Sequence, residues 1–81
     1  MNVKLFVKDD CPRCPAAKQA LAGLDELLVY DVSEMDGLAE ASFYGVLSTP
    51  SALVVDADGN EIESWRGVVP DRARIRDLLA Q

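Results

Sequence analysis

Apolar and polar positions along the chain fall into short blocks whose length and period separate strands from helices. Val3 to Val7 is apolar and β-branched around Lys4 and halts at Asp9-Asp10, the pattern of a first strand. From Cys14 to Leu24, the residues Ala17, Ala20, Leu21 and Leu24 recur at i, i+3, i+4 and i+7 with Lys18, Gln19 and Ala22 off that stripe, which predicts an amphipathic helix. Leu27-Leu28-Val29-Tyr30-Asp31-Val32 is a nearly unbroken apolar run of strand length, suited to a strand covered on both faces in a parallel sheet. Ser33 with Asp36 reads as a capping box with Asp in the usual Glu place. It opens a second helix through Leu38, Ala41 and Tyr44 that Gly45 is placed to end.

Thr49-Pro50 then precedes a buried-type strand, Ala52 to Val55. The turn Asp56-Ala57-Asp58-Gly59-Asn60 leads into a last strand, Glu61 to Arg66. Asp-Gly between two strand-like runs marks a hairpin, so these strands are expected to be antiparallel neighbours. Pro70 stands where the first residue of a helix belongs, and Ile75, Leu78 and Leu79 stripe that helix to the C-terminus. The order βαβαββα predicts the α/β class: a right-handed crossover joins two parallel strands, and the hairpin completes a four-stranded mixed sheet with helices on both faces.

Composition narrows what this scaffold can do. A chain of 81 residues has core enough for one domain, 1–81, and 49% hydrophobic beside 27% charged residues is the balance of a folded soluble protein. No apolar run approaches the roughly 18 residues of a membrane span. The first ten residues are too interrupted by charge for a secretory signal, so a cytoplasmic location is expected. Fourteen acidic against eight basic residues give a net charge of -6, which argues against nucleic acid or an anionic membrane as partner. There is no histidine, so His-based catalysis and His metal ligands are excluded. The chemistry falls to the two cysteines, in Cys11-Pro12-Arg13-Cys14.

A Cys-x-x-Cys that closes a strand and opens a helix puts the first thiol at the helix N-terminus, where unpaired N–H groups and the positive dipole end favour a thiolate. On this reading Cys11 is the nucleophile, Cys14 the resolving thiol, and Pro12 occupies the first helical position, where its missing N–H costs nothing. Attack by Cys11 on a disulfide and release by Cys14 pass two electrons to the substrate. Two other readings stand beside this one. As a mere crosslink the pair would close a loop contributing only about 2 kcal/mol, against about 4 for a bridge spanning about 60 residues. As a metal site it supplies two of the four ligands zinc requires, so only a dimer sharing an ion or cluster could complete it. Spacing and context favour redox exchange.

Three features together resemble the thioredoxin and glutaredoxin group over essentially the whole chain: Cys11-Pro12-Arg13-Cys14 after the first strand, Thr49-Pro50 directly before the third, and Gly67 after the fourth. The resemblance implies a thioredoxin fold, a cis Pro50 beside the cysteines, and a substrate groove shaped by Pro12, Arg13, Thr49, Pro50 and Gly67, with the Thr49 backbone pairing with an extended client segment. It also implies reduction of protein disulfides by a monomer whose only redox group is the Cys11–Cys14 disulfide. The small size and Cys-Pro-x-Cys form resemble glutaredoxin. Arg66-Gly67-Val68-Val69-Pro70-Asp71, however, has one glycine where glutaredoxins carry a pair with Asp for glutathione, and Tyr44 to Ser51 is more like thioredoxin. A glutaredoxin-sized thioredoxin served by a flavin-dependent thioredoxin reductase is therefore expected.

The chain also departs from the family. Asp10 replaces the Trp before the first cysteine, Leu5 stands at the position of the family's buried Asp, and Trp65 reads as sheet-face packing. Prolines 12 and 15 together predict an irregular first helical turn. Arg13 either stabilises the thiolate, which makes the disulfide more oxidising, or points outward to meet a substrate acid. Arg72, Arg74 and Arg76, flanked by Asp71 and Asp77, read as a solvated face. The acidic turn Asp56 to Asp58 is too short for the 6 to 8 oxygens of a calcium site.

Overall fold

The computed structural model describes residues 1–81. It contains β1 (Asn2–Val7), α1 (Cys14–Leu21), β2 (Leu27–Asp31), α2 (Met35–Phe43), β3 (Ser51–Val55), β4 (Glu61–Arg66) and α3 (Arg72–Leu79), the expected order. The strands form a four-stranded sheet in the order β2-β1-β3-β4. β1 is parallel to β2 and antiparallel to β3, and β3 is antiparallel to β4. Alternation along β1 sends Val3, Leu5 and Val7 to one face and Lys4 and Phe6 to the other. On the first face those three side chains, with Ala52 and Val54 of β3, pack against Ala17 and Leu21 of α1 and Ile75 and Leu78 of α3. On the second, Phe6, Leu53 and Val55 meet Ala41 of α2 and Val46. Trp65, opposite Ala52 in the β3–β4 register, is half-buried against the first face, as its strand position implies.

Turn chemistry accounts for the joints. Asp56 Oδ1 accepts the backbone N–H groups of Asp58 and Asn60, both at 2.9 Å, and Gly59 takes φ +84°, so the turn closes the β3–β4 hairpin. The Asn60 N–H, joined by that of Asp58, holds the Asp56 carboxyl below its usual 3.8. α2 ends as Gly45 predicts: Val46 N–H donates to Ala41 O and Gly45 N–H to Ser42 O, the paired bonds of a Schellman motif, with Gly45 at φ +67°.

Several boundaries differ from expectation for identifiable reasons. α1 stops at Leu21 rather than Leu24, and the chain turns through Gly23 at φ +86°. Ser33 and Asp36 form no capping box. Glu34 is the N-cap with no side-chain bond, because Asp31 Oδ1 has taken the Ser33 N–H at 2.8 Å. Pro70 precedes α3 instead of opening it. Asp71 is the N-cap, and its carboxylate accepts from Ala73 and Arg74 N–H. β2 is an edge strand, so Leu28 and Val29 are 43% and 51% exposed rather than covered on both faces.

The arginine cluster on α3 is a solvated face at Arg74 and Arg76, which are exposed, while Arg72 is half-buried. Arg74 grips Glu63 of β4 through Nε and Nη2, and Arg72 Nη1 donates to Ala20 O and Ala22 O at the end of α1. No helix is long and apolar enough to cross a membrane.

Candidate active site

The cysteine pair lies at the end of the first sheet face, joined as a disulfide with Cα atoms 5.3 Å apart. Pro12 is not the first helical residue. Cys11 to Cys14 form a turn closed by Cys14 N–H to Cys11 O at 3.3 Å, Arg13 is the N-cap, and α1 begins at Cys14. Pro15 falls in the first helical turn, where its missing N–H would have had no partner, so two prolines delay the helix without breaking it. Cys11 is 7% and Cys14 3% exposed, and both pack into the apolar cluster that holds Leu5, Val7 and Ala17. Leu5 is fully buried there, so a hydrocarbon side chain occupies the family's carboxylate position.

Segments far apart in sequence meet at Gly67. Arg13 Nη1 donates to Gly67 O at 3.1 Å, and Gly67 N–H donates to Pro50 O at 2.8 Å and lies 3.3 Å from Ser51 Oγ. The Thr49–Pro50 bond is cis, as the resemblance implied. Ser51 Oγ in turn donates to Ser48 O at 2.8 Å, pinning the segment that carries the bond. Gly67 has φ +75°, and a Cβ added there would come within 3.1 Å of Ser48 Oγ, so both conformation and space call for glycine. Of the residues singled out from sequence, Cys11, Arg13, Cys14, Pro50 and Gly67 are thus brought together. Thr49 is half-exposed beside them, and Pro12 is exposed in the turn. Arg13 has a partner that neither sequence reading of it included. Sequence reasoning also missed Ser48 and Ser51; their hydroxyls on either side of Thr49-Pro50 were the available signal. No group of three or more His, Cys, Asp or Glu side chains is placed to hold a metal ion.

Such a pair can exist as a disulfide or a dithiol, and the two-electron exchange between these states is its chemistry. A comparison with curated proteins finds no significant match. Among solved structures, a mutant thioredoxin from Halobacterium salinarum NRC-1 is 30% identical over 94% of this chain and 68% of its own, with a TM-score of 0.67. Thioredoxin 1 of Thermosipho africanus TCF52B is similar in fold at 16% identity, covering 99% of this chain and 91% of that one, with a TM-score of 0.67. The oxidised C-terminal domain of Neisseria meningitidis DsbD has 24% identity, coverage of 98% and 78%, and a TM-score of 0.65. The thioredoxin domain family model matches residues 1–80. With its Cys11–Cys14 disulfide at the start of α1 on this scaffold, the chain belongs to the thioredoxin domain family and is a thiol–disulfide oxidoreductase.

Proposed function

We propose that the protein reduces protein disulfides, with Cys11 attacking and Cys14 resolving. In the reduced enzyme the Cys11 thiolate forms a bond to one client sulfur, and the other client sulfur leaves as a thiolate that takes a proton. Cys14 then attacks the Cys11 sulfur and releases the second client thiol. The enzyme is left as the Cys11–Cys14 disulfide, and the client has gained two electrons and two protons. The observation that carries this order is position: Cys11 lies in the turn ahead of α1, at the positive end of its dipole, whereas Cys14 is the first residue of the helix. Thr49, Pro50 and Gly67 shape the groove in this proposal. Arg13, held on Gly67 O, borders it, and Pro12 lies exposed at its edge.

For the electron donor we favour a flavin-dependent thioredoxin reductase over glutathione. The resemblance to glutaredoxin would put a glycine pair with Asp after β4 for glutathione, whereas this chain has the single Gly67 there, and its carbonyl accepts from Arg13. The same proposal has the protein act as a monomer in the cytoplasm, which gel filtration and cell fractionation test.

Two coupled assays on a protein disulfide decide the donor: NADPH with thioredoxin reductase, and NADPH with glutathione and its reductase. Turnover in the first is expected. Turnover in the second alone would overturn the donor assignment. Cys11→Ser is expected to abolish turnover, and Cys14→Ser to accumulate mixed disulfides that a reductant dissolves. If Cys14→Ser traps nothing and Cys11→Ser does, the order of attack is the reverse.

A further inference from the structure

Helix α2 reverses the usual plan of a helix on a sheet. Toward the sheet it buries only small residues, Gly37 and Ala41, and a Cβ at Gly37 would collide with the Asp31 carbonyl. Its large apolar side chains point the other way, with Met35 86% and Phe43 77% exposed, whereas α1 and α3 bury Leu21, Ile75 and Leu78. Met35, Ala39 and Phe43 are exposed at i, i+4 and i+8 and so form one stripe along the solvent side of α2, on the face of the sheet opposite the disulfide. The Phe43 ring is held in place: it meets Tyr44 edge-on with centroids 4.8 Å apart, and Tyr44 OH donates to Gly59 O at 2.7 Å. The rim of the stripe is acidic. Residues 19–65 contain no Lys or Arg. Glu34 and Asp36, both exposed, flank Met35 and belong to none of the ion pairs, which join Lys4 to Glu40, Arg66 to Glu61 and Arg74 to Glu63. Arg66, at the other end of α2, is engaged by Glu61 and by the Tyr44 and Gly45 carbonyls.

We infer that the outer face of α2 docks an amphipathic helix of a basic partner protein, its apolar stripe against Met35, Ala39 and Phe43 and its Lys or Arg side chains beside Glu34 and Asp36. Scattered exposed apolar residues are ordinary, but large ones repeated along one helix face mark an interaction surface. The i, i+4, i+8 row is a ridge of the kind that packs between the side chains of a second helix, and Ala39 between two large residues leaves a hollow for a partner's leucine. Burial of the Phe43 ring and the Met35 side chain supplies the driving force. Carboxylates with no cation of their own select the partner by charge. The same charge disfavours the other occupants, because a second copy brings its own net charge of -6 and an anionic bilayer is negative as well. A partner held here leaves the cysteines open, since they lie on the other face of the sheet.

The test uses labelled peptides and fluorescence anisotropy. One peptide carries leucines at i, i+3, i+4 and i+7 with lysines between them, a second has the same composition in scrambled order, and a third has glutamates in place of the lysines. Wild-type protein is expected to bind the first at least roughly tenfold more tightly than either of the others, with amide shifts on binding centred on residues 34–43. The double variant Met35→Ser, Phe43→Ser should weaken binding roughly tenfold or more. Ala39→Arg keeps a good helix former at an exposed position and should do the same by setting bulk and positive charge in the stripe. Ile62→Ser, at an exposed apolar position on β4, should leave affinity unchanged. Equal binding of the scrambled or the glutamate peptide overturns the inference. So do shifts centred on the cysteine turn, and affinity that survives both stripe variants. Self-association of the wild type, or its co-sedimentation with phosphatidylcholine vesicles, that Ala39→Arg abolishes would give the face to a second copy or to lipid and overturn it as well.

Discussion

The two faces of the sheet are built to different plans, although single strands supply both. The face under α1 and α3 is apolar throughout and ends in the disulfide. The face under α2 carries an ionic cluster: Lys4 Nζ donates to Glu40 at 2.9 Å, Tyr30 OH donates to the same carboxylate oxygen at 3.2 Å, and the lysine ammonium lies 5.0 Å from the Tyr44 ring centroid. Lys4 and Leu5 are neighbours in sequence, yet the pleat puts one in each environment. The difference teaches where protons are available. The fully buried side chains clustered with Cys14 are hydrocarbon or sulfur, with the Trp65 indole at the margin, and the Lys4–Glu40 pair lies across the sheet. Cys14 therefore has no buried carboxyl beneath it, because Leu5 fills the place of the thioredoxin family's buried Asp.

Leu5→Asp is the most severe challenge to that contrast. It removes a fully buried leucine, a loss of about 2–5 kcal/mol for truncation alone, and it adds a carboxyl with no partner in an apolar cluster. The total exceeds about 4 kcal/mol, comparable with the whole stability of a chain this short, so the variant is expected to be largely unfolded in water. Circular dichroism with a urea titration reads this directly. A folded variant with a near-native midpoint would mean that water already reaches the region beneath the thiols.

Much of this architecture was legible because it is local. The period-two run of β1, the Asp56–Asn60 hairpin, the end of α2 at Gly45 and the Cys-x-x-Cys placement each depend on a few adjacent residues. Failures came where a distant partner decides. An apolar run such as Leu27–Val32 does not reveal whether its strand is central or at an edge, since that depends on strand order, and β2 has β1 on one side only. Caps shifted because a neighbouring carboxylate won the competition for an N–H: Asp31 for that of Ser33, Asp71 for those of Ala73 and Arg74. The site shows the same division. Cys11, Cys14, Pro50 and Gly67 belong to motifs, but the Arg13 bond spans 54 residues, and nothing near Arg13 announces it.

On the second face, Glu40→Ala should cost about 2 kcal/mol by leaving the Lys4 ammonium without its partner. The cost is below the 3–5 kcal/mol of a fully buried pair because the two side chains keep 13% and 30% exposure. Thiol–disulfide turnover should be unchanged, as the pair lies across the sheet from the cysteines. A large loss of turnover in folded Glu40→Ala protein would break the separation of the faces.

The same cluster gives a pH test. Burial pulls the Lys4 ammonium down, but the hydrogen bond and charge of Glu40, with smaller help from the tyrosines, outweigh it and leave Lys4 above the usual 10.5. Burial raises Tyr30 above 10.0, against the pull of the Lys4 charge. Both groups hold their protons more tightly folded than unfolded. Their stabilisation is therefore complete below about pH 10 and is lost as pH climbs through the raised folded values. Urea midpoints should fall above about pH 10, and fall less in Lys4→Met, which lacks the lysine's share. An equal fall in both proteins would remove Lys4 from this account.

The smallest effect concerns how the disulfide face holds its two helices together. α1 ends with carbonyls that have no helical partner, and Arg72 at the start of α3 reaches across to donate to Ala20 O at 3.0 Å and Ala22 O at 2.7 Å. A cation there also meets the negative end of the α1 dipole. Water can replace these bonds at a half-exposed site, so Arg72→Ala should cost only about 1 kcal/mol in a urea titration. Its signature is local: amide exchange should quicken in the last turn of α1 and first turn of α3 more than in β3, whose side chains are buried on both faces. Arg72→Lys keeps the charge but not the planar fork, and should recover part of the loss. Uniform quickening across the chain would instead mean that the two helices are held by Ile75, Leu78 and Leu21 alone, with the arginine a bystander.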